Sequence, residues 1–173
     1  MDIDSLDSRI VTLFCERPKL SVLEASRRLK VARATVQARI DRLMRRGVIK
    51  SWAPILNPNA FGYPVTAYCS LTVRQDAGHA VVVAALARIP EILELHTVSG
   101  DSDMLARVVA RSNADVQRVL DLIVATQTVV RSSSVIVLQT HIEAQALALL
   151  QATAAAADTA APPVPAVPPV RLP

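Results

Sequence analysis

A chain of 173 residues, 51% of them hydrophobic and 20% charged, is long enough to bury one ordinary core or two small ones. It contains no run of about 18 apolar residues, and it opens on Asp2, Asp4 and Asp7 rather than on a basic segment leading into an apolar one, so neither a membrane span nor a secretory leader is expected. The net charge of +4 hides an asymmetry: residues 1–50 carry twelve basic and six acidic side chains, and the remaining residues carry seven and nine. A positive field confined to the N-terminal part attracts polyanions, and for a cytoplasmic protein DNA is the foremost of these. The two cysteines, Cys15 and Cys69, lie far apart in apolar periodic segments, which predicts two small core residues rather than a disulfide or a metal site.

The first 50 residues predict three helices. Leu6, Ile10, Leu13 and Phe14 fall at i, i+4, i+7 and i+8, one apolar stripe, with Asp4 or Ser5 as N-cap and Pro18 as terminator. The stretch Ser21 to Glu24 has capping-box form and opens a second helix running to about Leu29. After a turn over Lys30 and Val31, Val36, Ile40 and Leu43 share the buried face of a third helix, and Gly47 sits just past its end.

At 100° per residue, Ala34, Gln37, Ala38, Asp41, Arg42 and Arg45 lie opposite Val36, facing outward. Two short helices, a tight turn and a third helix that presents Arg33, Gln37 and Arg42 to solvent suit major-groove reading. Arg pairs bidentately with guanine and Gln with adenine, whereas Thr35 and the flanking arginines, Arg39 among them, suit phosphate oxygens. Asp41, awkward beside phosphate, is expected to pair with Arg45 or Arg42. A basic helix face that is merely solvated would carry the same charge run; the helix-turn-helix spacing favours double-stranded DNA.

Pro54, Pro58, Gly62 and Pro64 exclude a long helix over the connector, where residues 49–56 can form a short edge strand. From Val65 the period changes to two, as in a half-buried strand. An apolar helix from about Ala80 to Ile89 follows, then two strands flanking the turn from Ser99 to Asp103. A helix capped by Ser112 or Asn113 comes next, with Val116, Leu120, Ile123 and Val124 on one face, and a last strand from Val129. The order βαββαβ predicts an antiparallel sheet with both helices on one face, the ferredoxin-like arrangement, and an opposite face that packs on a partner subunit.

These features together resemble the Lrp/AsnC, or feast/famine, transcription regulators. The resemblance rests on the Asp-initiated first helix, on Arg39-Ile40 with Leu43 in the recognition helix, on Gly47-Val48-Ile49, and on Asn57-Pro58 before Gly62-Tyr63. It implies an α+β chain: a winged-type helix-turn-helix domain over residues 1–50, a connecting strand and hinge over 51–64, and a ferredoxin-like RAM/AsnC-type domain for effector binding and dimerisation over 65–145. DNA contacts would then fall on Arg33, Ala34, Thr35, Gln37, Ala38, Arg39 and Arg42. Such regulators form homodimers, often octamers, act in the cytoplasm at the nucleoid, and many bind an amino acid beside the turn between the second and third strands. Here the matching turn offers Gly100, Asp101, Ser102 and Asp103, where backbone amides would cradle a carboxylate and an aspartate would accept an ammonium group. In the resembled family Trp52 would pack in the joint between subunits. The chain departs from the family at Ala32, where Ser is common, at Lys30, where Gly is common, and at Ser102 and Met104, where aromatics are common. The first two changes each cost roughly 1 kcal/mol.

Residues 146–173 lie outside the resemblance and read as a helix remnant followed by an Ala/Pro-rich tail, disordered from about Ala154. No catalytic, metal or cofactor motif is evident, because His79, His96 and His141 are scattered. The alternative is an enzyme resembling the sirohaem decarboxylases, which share the two-domain arrangement and would use His96 and Arg107 around a tetrapyrrole.

Overall fold

In the computed structural model, which describes residues 3–160, the first helix α1 (Ser5–Glu16) begins at Asp4, whose carboxylate accepts the Asp7 N–H at 2.9 Å while the Asp7 side chain reaches back to the Asp4 N–H. This reciprocal pair satisfies two of the amides that a helix start leaves open. Ser21 caps α2 (Val22–Leu29) through the Glu24 N–H, but the returning half of the predicted capping box is replaced, since Glu24 binds Arg28 at 2.8 Å. Lys30 closes α2 in the left-handed region, φ +56°, and the Val31 N–H bonds back to the Ser26 carbonyl at 3.1 Å. The third helix, α3 (Arg33–Arg45), starts at Ala32 with no side-chain cap. Its end is a full Schellman motif: Gly47 takes φ +71°, its N–H meets the Met44 carbonyl and the Val48 N–H meets Leu43, each at 2.9 Å. Ile10, Phe14, Ala25, Leu29, Val36 and Ile40 form the core beneath the three helices.

The described residues divide into two units, one holding residues 3–53 together with 142–160, the other Pro54–His141. The tail therefore differs from expectation. Instead of losing order near Ala154, it forms α6 (Ala146–Ala160), which packs along α1. Alanine has the highest intrinsic helix propensity, and Leu147, Leu150, Ala154 and Ala157 recur at alternating three- and four-residue steps, forming the less exposed stripe of the helix. Ala154 is 2% exposed, and Gln151 Nε2 donates to Thr12 Oγ1 at 3.0 Å. The Pro-rich stretch 161–173 lies outside the described residues.

Residues 51–57 form no strand, against prediction. An edge strand needs a neighbour to complete its ladder, no strand pairs with this segment among the described residues, and Pro54 removes a donor. The Trp52 ring packs edge-on against Phe14 at 5.3 Å and its indole N–H points to Met44 Sδ at 3.2 Å. Cys15, expected in the core, is exposed; Cys69 is buried, and burial pushes its thiol up to about 11.

In the second unit, β1 (Val65–Val73), α4 (His79–Leu86), β2 (Ile92–Thr97), β3 (Met104–Ala110), α5 (Asn113–Ala125) and β4 (Val129–Ile136) form an antiparallel sheet of order β2-β3-β1-β4. Cys69 pairs with Ala106 on one side and Ser134 on the other. Ala67, Cys69, Leu71, Met104, Ala106 and Val108 point to one face, where Val82 and Leu86 of α4 and Val116, Val119 and Ile123 of α5 cover them. Val119 takes the buried place predicted for Val124, which is 52% exposed. The reason is angular: Ile123 lies between Val116 and Val119 on the helix surface, and Val124 lies about 140° round from Val119.

Candidate nucleic-acid interface

The buried stripe Val36, Ile40 and Leu43 fixes how α3 is turned, and leaves Arg33, Ala34, Thr35, Gln37 and Ala38 exposed. Arg45 and Arg46 extend the exposed positive charge past the helix end. An uncapped start, two alanines and long polar side chains on one outward face make a surface that can approach a groove wall closely.

Arg39 and Arg42, expected as DNA contacts, are half-buried and ion-paired within the unit. Both turn toward the start of α1. Arg42 Nη2 binds Asp7 Oδ2, and Arg39 Nη1 binds Asp4 Oδ2 and, at 3.1 Å, Asp7 Oδ1. The Asp7 side chain is 0% exposed, so a buried carboxylate is held by two guanidinium groups from a helix more than 30 residues on. At Asp4, burial opposes ionisation, but the Arg39 guanidinium and the Asp7 backbone N–H hold the carboxyl below its usual range. Arg42 Nε is buried without a partner. A sequence signal for this clamp existed: two acids three residues apart on α1 and two arginines three residues apart on α3, each pair on one helix face.

Asp41, expected to pair with Arg45 or Arg42, pairs with neither. Its Oδ1 accepts the Gln37 Nε2–H at 2.8 Å, because Arg42 is drawn away to Asp7.

The predicted effector turn lies between β2 and β3. Gly100 takes φ +116° and Asp101 is exposed, with Ser102 half-buried. Asp103 braces the turn: its N–H meets the Leu71 carbonyl at 3.0 Å, its carbonyl accepts the Val98 N–H at 3.0 Å, and its Oδ2 accepts the Val73 N–H at 2.8 Å. One oxygen of the proposed ammonium acceptor thus serves the fold. On the sheet face away from the helices, Arg107 binds Glu94 at 2.7 Å, with His96 3.5 Å from the same carboxylate. That arginine bond, against some desolvation, keeps Glu94 below the usual carboxylate range. His79 contacts Thr97 at 3.2 Å, and no cluster of three metal-ligating side chains occurs among the described residues. No helix there is long and apolar enough to cross a membrane.

Residues 3–50 match the family model for winged helix-turn-helix DNA-binding domains, and residues 66–147 match that for the Lrp/AsnC ligand-binding domain. The HTH-type transcriptional regulator FL11 of Pyrococcus horikoshii is 32% identical over 148 residues, 85% of this chain and 97% of that protein. The structure of E. coli AsnC superposes with a TM-score of 0.74, at 21% identity, over 83% of this chain and 97% of its own. A feast or famine regulatory protein of M. tuberculosis complexed with L-methionine is 26% identical, with a TM-score of 0.70 over 81% of this chain and 95% of its own. With its uncapped but exposed recognition helix and its βαββαβ second unit, the chain belongs to the Lrp/AsnC family and is a DNA-binding transcriptional regulator of that type.

Proposed function

We propose that this regulator reads specific duplex sequences with the exposed side of α3, and that a small metabolite, an amino acid or a close relative, modulates it from the turn between β2 and β3. The observation that carries the DNA reading is the sorting of side chains on α3: Arg33, Thr35 and Gln37 are exposed, Gln37 bonded only to its neighbour Asp41, while Arg39 and Arg42 are bound to α1. Arg33 and Gln37 have the donor and acceptor sets for guanine and adenine edges, Thr35 suits a phosphate oxygen, and Ala34 and Ala38 allow close approach and contact with thymine methyl groups. Regulation takes place in the cytoplasm at the nucleoid, by a homodimer or an octamer built from it. A dimer places two α3 helices in successive major grooves, so its operator is an imperfect palindrome. R33A and Q37A are expected to lose about 1–3 kcal/mol of discrimination between a selected operator and random DNA, measured by fluorescence anisotropy at fixed salt. Undiminished discrimination in both would remove the base-reading role.

For the effector, the support is the amide-rich turn from Gly100 to Asp103 together with the L-methionine held by the M. tuberculosis relative. Asp101 and the Asp103 oxygen not bonded to Val73 supply the negative side for an ammonium group, and residues 65–145 form the effector and dimerisation domain. Thermal-shift titration with each common amino acid tests this: D101A should abolish any shift that wild type gives. The enzyme alternative rests on His96 and Arg107, and Glu94 already neutralises Arg107, leaving one cation fewer for a polyanionic tetrapyrrole.

A further inference from the structure

We infer that Asp41 is a positioning residue for base recognition: by holding one N–H of Gln37 it sets which way round that amide faces the DNA, and so sharpens selection of adenine over guanine. The inference rests on Gln37 as a base contact.

Gln37 and Asp41 stand one turn apart on α3, joined by a 2.8 Å hydrogen bond from Nε2 to Oδ1. An ionised carboxylate only accepts, so the nitrogen end of the amide must face Asp41 and the oxygen end cannot. A lone glutamine has two N–H groups and one carbonyl, and its amide can turn over freely. With one N–H spent on Asp41, what remains is a single N–H beside Oε1, in one fixed order. Adenine offers an acceptor, N7, next to a donor, the N6 amino group, and matches that pair. Guanine offers two acceptors, N7 and O6. An unlocked glutamine could serve guanine with both hydrogens of its NH2 group; the locked one has only one to give, and its Oε1 would oppose O6.

The surroundings argue against a plain charge pair. Arg42, the adjacent cation, is bound to Asp7, and Asp41 makes no ion pair with Arg45. A carboxylate on a DNA-facing helix repels every duplex alike, so its benefit must lie in selectivity rather than in affinity.

The test uses the full-length chain. Wild type, Q37A, D41N, D41E and Q37A/D41N are each used to select duplexes from a randomised library, and then titrated against the selected and a scrambled duplex. D41N, whose amide donates as well as accepts, should bind scrambled DNA about threefold more tightly, having lost a negative charge. At the base pair read by Gln37 its preference for adenine over guanine should fall about tenfold, with other positions unchanged. D41E keeps an acceptor-only group and should retain the preference, and the double variant should lose no more there than Q37A does. If D41N tightens binding to both duplexes equally with base preference intact, Asp41 is only a repulsive charge and the inference is overturned. If Q37A itself keeps the wild-type preference, the failure lies in the assignment of Gln37 as a base reader, and the inference falls with it.

Discussion

Arg33 and Arg42 belong to one helix and one run of positive charge, yet they work on opposite sides of it. Arg33 stands exposed at the start of α3, where no acceptor among the described residues competes for its five donors. Arg42, with Arg39, is drawn onto the acids that open α1. Of the four arginines in α3, two are therefore neutralised inside the head. The contrast teaches that a cationic run measures field strength poorly until its internal partners are known, and that the same residue type can read a ligand or pin two helices together. Asp7 decides which: a carboxylate with 0% exposure must be paired, and its partners cease to be available.

The comparison breaks most visibly at Asp7. D7A should cost the head on the order of 3 kcal/mol, because it leaves two guanidinium groups facing a vacant site, and urea denaturation would measure it. A neutral D7A would mean that the clamp stabilises nothing. Next in size is the exchange of phenotypes between the two arginines. R33A should leave stability within about 0.5 kcal/mol of wild type and lose base discrimination, whereas R42A should lose roughly 1–2 kcal/mol of stability with an unchanged salt slope of binding. Smaller again are repairs to the turn before α3: A32S restores a hydroxyl cap and K30G relieves a side chain at φ +56°, each adding about 1 kcal/mol to thermal stability. Neither should alter which sequences are selected.

The smallest effect concerns acid. Arg39 holds Asp4 below the usual carboxylate range, so this pair contributes stability above that range and loses it as pH falls through the depressed folded value. Acid titration of the melting temperature should fall less steeply in R39A than in wild type. The difference should be modest, because the Asp4 side chain is 43% exposed and solvent screens the pair.

Most helix limits were legible, since caps and breakers act within one turn: Asp4, Ser21, Gly47, Pro18 and Ser112 each stand where they end or begin an element. The alternation across Val65–Val73 likewise placed β1 and its buried side. Less of the candidate site could be read. The exposure of Ala34, Gln37 and Ala38 follows from helical geometry alone, but the ion pairing of Arg39 and Arg42 depends on α1. The partner of Asp41 was missed for the same reason, one step removed. Asp103 was read as a ligand group without the Val73 amide that it holds from another strand. Alanine-rich α6 was cut short because composition says nothing of a distant helix to lie against.

By itself the sequence determined the three helices of the head, most of the buried stripes, the βαββαβ pattern and the outward place of Ala34, Gln37 and Ala38 on α3. All of these follow from periodicities and caps that operate over a few residues, where geometry leaves little choice. Tertiary structure alone decided which charges stay free, what completes the head and what braces the turn between β2 and β3. Those outcomes turn on groups some 30 to 140 residues apart, Asp7 with Arg39, Asp103 with Val73, Thr12 with Gln151, and a burial penalty or a hydrogen bond exists only once the fold has brought its partners within reach.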